Sequence, residues 1–362
     1  MSHSFSPSWT ETIRKYAAEA EQLGQLHPGM LDLVYNNNWF NLYVPKEYGG
    51  LEKPLPEILR LEENLAKADG SLAWTVTLCS GAAWFAGFLD KHLAKEIFKD
   101  PKACFAGSGA VGGTAYKTAD GYMINGTWKY ASGALHATIL TANCLIVDSS
   151  GTAILDDNGK ELIKSFILKR NEVEILSEWA YFGLIATGSH AFKVDNVLIP
   201  NNRLFEINGE LQIDIPLLNY PFLQMAETTL AVNYSGMALH FVELVDDYFY
   251  TRTGIKRYSG EQVVYFEKEF AELKENFQNV RNQFFAKVDL SWKEFSEKGK
   301  CTANTLSSVS KKSRTLAHTA RKMVDSLYPY CGLEAAKKAS ELNRVWRDLH
   351  TASQHSLLTF DF

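Results

Sequence analysis

Apolar residues recur at helical spacing from the start of the chain. Ile13, Tyr16, Ala17, Ala20 and Leu23 follow Ser8-Trp9-Thr10-Glu11, a string that fits a capping box, and Gly24 stands where a helix would stop. Pro28 and Pro56 are placed to open two further helices, the second with an apolar face of Ile58, Leu61, Leu65 and Ala66 that ends near Gly70. The segment SLAWTVTLCSGAAWFAGFL, residues 71–89, is apolar almost all round but interrupted by Thr, Ser and Gly. Such a pattern predicts a helix enclosed by protein rather than a membrane span.

The pattern changes near Pro101. Asp120-Gly121, Asn125-Gly126 and Asn158-Gly159 are turn dipeptides between short β-prone runs. AYKTA, YMI, TWKYAS, TILTANCLIVD, SFILKR, EVEIL and HAFKVDNVLI give seven predicted strands. From about Pro221 helical spacing returns. Val263, Phe266, Phe270, Leu273, Phe277, Val280 and Phe284 alternate steps of three and four, the seam of a long helix in a bundle. Gly299 and Cys331-Gly332 mark breaks before two more helices. The expected organisation is α+β: a helical domain over 1–101, a β-domain over 102–207 and a helical bundle over 208–362.

Composition narrows the class. The 362 residues are 46% hydrophobic and 22% charged, which excludes a disordered or fibrous chain. A net charge of −5 leaves no overall electrostatic footprint for nucleic acid. The five cysteines are scattered, with no CxxC pair, and the first residues contain no apolar run of signal-peptide type. A reducing, cytoplasmic setting is expected, with neither nucleic acid nor membrane as partner.

GxxxxGK[ST], GxSxG and HExxH strings are absent, and Gly107-Ser108-Gly109 through Gly112 spells GxGxxG, a weak signal by itself. Gly107-Ser108-Gly109 with Gly112-Gly113 suits either turn geometry or close approach of a ligand. As a strand, TWKYASG would turn Trp128, Tyr130 and Ser132 to one face, either to wall a flat ligand or to pack on helices. Arg344, Arg347, Asp348, His350, Gln354 and His355 crowd one short stretch, as a site or as the solvated face of an amphipathic helix. His350 and His355 are five apart and do not converge on one metal, so no metal site is expected.

Longer strings carry a resemblance. LYVPKEYGGLEKPL (42–55), GYMINGTWKYASG (121–133) and FGLIATGSHAFKVDNVLIP (182–200), in the order helices, β-domain, helices, resemble the acyl-CoA dehydrogenase superfamily over about nine-tenths of the chain. That family's fold is an N-terminal helical domain, a middle β-barrel-like domain and a C-terminal four-helix bundle. Trp128 to Gly133 (W-x-x-x-S-G), Thr187-Gly188-Ser189, and Arg347-Asp348 through Thr351 to His355 are similar to its flavin-dependent monooxygenase branch. The p-hydroxyphenylacetate hydroxylase oxygenase component and dibenzothiophene monooxygenase belong to that branch.

The resemblance implies a two-component monooxygenase using reduced flavin, FAD ahead of FMN, and oxygen on a small aromatic or heterocyclic substrate. A separate flavin reductase and a homotetramer built through the C-terminal bundle are implied with it. Ser132 would hydrogen-bond the flavin near N5, and His355 would stand at its C4a edge. Ser108, Trp128, Thr187, Ser189 and Arg347 would join Ser132 in binding the cofactor, and Arg257 is a loose counterpart of an arginine that reaches a neighbour's pyrophosphate. Two alternatives stand beside this reading: an acyl-CoA dehydrogenase, and a relative that keeps the fold without catalysis. A dehydrogenase needs a carboxylate base. Ser356 stands at one of the family's positions for it, and Glu227 lies near the other.

Overall fold

A computed structural model describes residues 5–207, 209–253 and 257–360, without the side chains of 251–253. Residues 1–4 of the N-terminal stretch and 254–256, just ahead of Arg257, lie outside the described residues.

The first part is helical. α1 (Pro7–Leu23) starts two residues before the anticipated capping box: Ser6 is its N-cap and Pro7 its first residue, where a missing N–H costs nothing. Gly24 ends it in the left-handed conformation, φ 67°. α2 (Pro28–Asn36) and α3 (Leu55–Ala68) both carry proline in their first turn. α4 (Gly70–Ala83) is buried on nearly every side, and Asp69 caps it by accepting from Leu72 N at 2.8 Å. α5 (Lys91–Ile97) completes this part. Among the described residues, no helix is long and apolar enough to cross a membrane.

Seven strands follow: β1 (Phe105–Lys117), β2 (Gly121–Trp128), β3 (Ile139–Val147), β4 (Ile163–Lys169), β5 (Glu174–Leu176), β6 (Ala191–Pro200) and β7 (Leu204–Phe205). They form one sheet in the order β5-β6-β2-β1-β3-β4-β7, with β5 and β7 at its edges. Asp120-Gly121 is a turn, but Asn125-Gly126 is not. β2 runs through it, with Gly126 opposite Gly113. A Cβ at Gly126 would come within 2.4 Å of Gly113 Cα, so the glycine permits close strand approach instead of a reversal. Gly112 and Gly113 likewise lie inside β1 and make room for the Trp128 ring.

The last part is a bundle. α6 (Pro216–Asn219) leads into α7 (Phe222–Asp247), followed by α8 (Gly260–Lys298), α9 (Ala303–Leu327), α10 (Gly332–Ala336) and α11 (Glu341–Ala352). α7 is the hub, packed on α3, α9 and α11, while α8 packs on α9. The aromatic half of the seam in α8, Phe266, Phe270, Phe277 and Phe284, is buried within this one chain. Its aliphatic half, Val263, Leu273 and Val280, is only partly covered.

Candidate active site

A cavity of about 320 Å³ opens where α4 and α7 meet β1 and β3 and the segment after α11. α7 presents Phe222, Met225, Ala226, Thr229 and Leu230 to it, one stripe of a helix at steps of three and four. α4 presents Thr77, Leu78, Gly81, Ala82 and Phe85 from its end and the turn beyond. The sheet adds Gly107, Ser108, Gly109, Thr141 and Asn143, and Ser132, His355 and Leu357 complete one end.

Ser132 arrives there by a break in the strand. β2 stops at Trp128, and Tyr130 takes a left-handed backbone, φ 65°. That turn sends the Tyr130 ring out onto Trp179 and Tyr181, 58% exposed, while Ser132 is buried. The shared face expected for Trp128, Tyr130 and Ser132 is therefore absent, because alternation holds only while φ stays extended. Ala131 N donates to His190 O at 3.1 Å and Gly133 N to Thr187 O at 2.9 Å, which ties the turn to the 187–190 segment. Gly133 has φ 75°, and a Cβ on it would meet Cys79 Sγ at 2.4 Å.

Three hydroxyls line up behind the cavity. Ser132 Oγ lies 2.8 Å from Ser189 Oγ, which lies 2.6 Å from Thr187 Oγ1, which donates to Leu184 O at 2.7 Å. A carbonyl only accepts, so the single Thr187 proton is committed to it. Ser189 must then donate to Thr187, and Ser132 to Ser189. Ser132 is left with lone pairs for the cavity and serves there as an acceptor.

His355 belongs to no long helix. α11 ends at Ala352, and His355 caps the short turn Ser356–Leu358 with Nδ1 accepting from Leu357 N at 3.4 Å. That bond leaves the proton on Nε2. Burial lowers the imidazole pKa below its ordinary value, so the ring is a neutral N–H donor rather than a group poised at neutrality.

The other residues singled out in the sequence are dispersed. Ser108 lines the cavity, its hydroxyl accepting from Ala110 N at 3.3 Å. Trp128 is buried away from it, stacked on Phe192 with Nε1 donating to Asn143 O at 2.9 Å. Arg347 is buried and occupied, donating to Asn343 Oδ1, Glu21 Oε1 and Phe182 O, so it fastens α11 to α1 and to the 182–184 turn. Asp348 is buried as well and accepts from Leu184 N at 2.6 Å. The amphipathic reading of this helix thus placed its charges on the wrong side of the surface. Arg257 is exposed and not among the cavity-lining residues. His350 faces Asp325, 2.8 Å away, rather than His355. Glu227 points away from the stripe that α7 gives the cavity, and Arg314 donates to its Oε1 at 2.6 Å. Tyr43, Thr77 and Gly81 went unremarked in the sequence; the small and polar Thr77 and Gly81, one turn apart in an otherwise apolar helix, were the available signal.

The walls suit a flat heteroaromatic group. Gly81 and Gly109 line the cavity, and a Cβ built on either would meet nothing within 4 Å. Apolar faces there combine with a polar rim of Ser108, Ser132 and the His355 N–H. This donor and acceptor set fits a flavin ring.

Residues 228–360 match the family described as acyl-CoA dehydrogenase, C-terminal domain. That match covers the C-terminal bundle of the chain. The chain is 25% identical to the indole-3-acetate monooxygenase of Acinetobacter baumannii, over 95% of this chain and 87% of that protein. It is 24% identical to the flavin-dependent monooxygenase, oxygenase subunit HsaA, of Mycobacterium tuberculosis, over 95% and 88%. The crystal structure of HsaA superposes with a TM-score of 0.85 at 21% identity, covering 97% of this chain and 93% of that one. XiaF from Streptomyces sp., in complex with FADH2 and glycerol, superposes with a TM-score of 0.86 at 20% identity, covering 97% and 89%. The superfamily fold, helices then sheet then bundle, is the one seen here.

Proposed function

We propose that the chain is the oxygenase component of a flavin-dependent two-component monooxygenase acting on a small aromatic or heterocyclic substrate. The observation that carries this reading is the oriented hydroxyl chain that leaves Ser132 as an acceptor at the same end of one apolar cavity as the neutral His355 N–H. Reduced flavin, when bound, supplies the electrons that activate oxygen. The protein's part is to keep water out and to hold two protons. Ser132 would accept from a ring N–H of the bound flavin and so help to hold that proton. His355 Nε2–H would donate a hydrogen bond to the oxygen that reacts in this cavity. Ser108 supports the polar edge, and Ser189 and Thr187 act through Ser132. Trp128 and Arg347 shape the scaffold that positions these groups.

The names of the relatives support the class, and a relative called an oxygenase subunit supports a separate reductase. FAD is the form we assign first, as the XiaF complex holds FADH2. Assembly into a homotetramer is supported by the half-covered Val263, Leu273 and Val280 along α8, with the exposed Arg257 free to reach a neighbouring subunit. Five free cysteines agree with a cytoplasmic setting.

The acyl-CoA dehydrogenase alternative requires a base at the cavity. Glu227 is turned to Arg314, and among the described residues lining the cavity there is no carboxylate. The deciding experiment mixes the anaerobic complex with reduced FAD or FMN rapidly with oxygen and a panel of phenols and indoles. Hydroxylated product carrying oxygen from O2 is expected. Reduction of bound oxidised flavin by an acyl-CoA, without hydroxylation, would overturn the assignment.

A further inference from the structure

The turn at residues 182–184 is pressed against α11 at three successive positions. Phe182 O accepts from Arg347 Nη1. Gly183 has no room for a side chain, since a Cβ on it would run into Arg347 O. Leu184 N donates to Asp348 Oδ1 at 2.6 Å. Arg347 is itself fixed from behind: its Nε donates to Asn343 Oδ1 at 2.7 Å and its Nη2 to Glu21 Oε1 at 2.6 Å.

Leu184 needs this grip. Its backbone is left-handed, φ 51° and ψ 35°, and it is buried. The other non-glycine residues of positive φ among those described, Asn38, Glu52, Tyr130 and Asn196, are not buried. In that conformation Cβ crowds the carbonyl, so leucine keeps it only where its surroundings over-determine it. This strained residue carries the carbonyl on which the hydroxyl chain ends. Leu184 O accepts from Thr187 Oγ1 at 2.7 Å and from Trp179 Nε1 at 2.9 Å. A leucine relaxed to the right-handed or extended region would swing the peptide and take the carbonyl from Thr187. The Thr187 proton could then turn to Ser189, and the direction of the chain toward Ser132 would be lost.

We infer that Arg347 and Asp348 are positioning residues for the oxygen chemistry: by gripping the 182–184 turn they keep Leu184 left-handed, hold its carbonyl on Thr187, and so fix Ser132 as an acceptor in the cavity. This rests on the function proposed above and deepens it. Neither side chain is among the residues lining the cavity, so each acts only through the turn and the three hydroxyls.

Two measurements test it: amide hydrogen exchange in the flavin-free protein, and the ratio of peroxide to product with flavin bound. The Thr187 amide donates to the same carbonyl at 3.2 Å and so reports where that carbonyl stands. Asp348→Ala should speed exchange at Thr187 and raise peroxide relative to product, each about tenfold. Asp348→Asn keeps an acceptor for Leu184 N and should stay within about threefold of the parent chain in both. Glycine adopts the left-handed region unaided. Leu184→Gly in the Asp348→Ala background should therefore return both readouts toward the parent values. It should do so while lowering thermal stability further, because a buried side chain is removed. A purely structural tie would not move coupling and stability in opposite directions. Arg347→Gln, alone and with Leu184→Gly, asks the same question through Phe182 should Asp348→Ala not fold. Exchange and coupling unchanged in Asp348→Ala and Arg347→Gln, or coupling that Leu184→Gly worsens in step with stability, would overturn the inference alone, provided Ser132→Ala still uncouples. A Ser132→Ala chain that binds flavin with unchanged coupling would overturn the role given to Ser132 above, and this inference with it.

Discussion

Ser132 donates its only hydroxyl proton to Ser189, 2.8 Å away, and therefore meets the cavity with lone pairs. The direction is set two residues further on, where Thr187 spends its proton on the Leu184 carbonyl. Ser189→Ala removes Ser132's acceptor without touching the cavity. Ser132 is then free to point its proton inward, and a ring N–H loses its acceptor. The expected outcome is retained flavin binding with hydrogen peroxide rising about tenfold relative to product, a loss of one hydrogen bond of about 1.4 kcal/mol. Peroxide and product are quantified together; unchanged coupling in Ser189→Ala would show that the chain's direction has no role. Ser132→Ala should uncouple at least as strongly.

His355→Ala should also keep the fold and flavin and divert oxygen to peroxide, by about tenfold to a hundredfold for a donor lost in a dry site. Because burial lowers its pKa, the ring should remain the neutral donor throughout the neutral range. A coupling ratio flat across that range checks this. A step in coupling near the ordinary histidine value, missing in His355→Ala, would contradict it.

Asp348 makes a stability prediction with a definite sign. Burial, and secondarily Asp69, raises its pKa to about 8. The folded chain therefore keeps a proton that the unfolded chain releases near the ordinary carboxyl value. Its contribution to stability is full below that value and is lost as pH rises through about 8. Asp348→Asn keeps a carbonyl for Leu184 N and removes the titration. The midpoint of thermal unfolding should fall in the parent chain as pH rises from the ordinary carboxyl value to about 8, and fall less in Asp348→Asn.

Glu227 tests the branch from the other side. Its pairing with Arg314 is buried, so Glu227→Gln should cost about 1–3 kcal/mol of stability by weakening a charged hydrogen bond. Hydroxylation per folded molecule should change little. A loss of hydroxylation by orders of magnitude with unchanged stability would make Glu227 part of the chemistry.

Gly81 separates cavity from scaffold. An added Cβ there meets nothing within 4 Å, and alanine favours an α-helix over glycine by about 1 kcal/mol. Gly81→Ala should therefore leave thermal stability equal or higher. Gly81→Leu should keep the fold but fill the cavity and lower affinity for flavin or aromatic probe, read by fluorescence titration.

The order of helices, strands and helices was legible because it rests on periodicity. The all-round apolar run became α4, and the alternating seam of α8 put Phe266, Phe270, Phe277 and Phe284 in the core. Ser132, Ser108 and His355 were legible through extended strings that resemble a family, and they do meet in one cavity. Local pattern failed where long-range contact decides. Asn125-Gly126 reads as a turn, yet Gly126 is a strand residue because Gly113 crosses against it. The alternation expected from Trp128 to Ser132 is broken at Tyr130 by a left-handed backbone that only the 187–190 segment holds in place. Arg347 and Asp348 read either as site residues or as surface charges, and the structure instead has them binding α1 and the Leu184 turn. The direction of the hydroxyl chain depends on atoms from segments far apart in the chain. Periodicity reports which side of an element is buried, whereas the partner waiting there is set by packing alone.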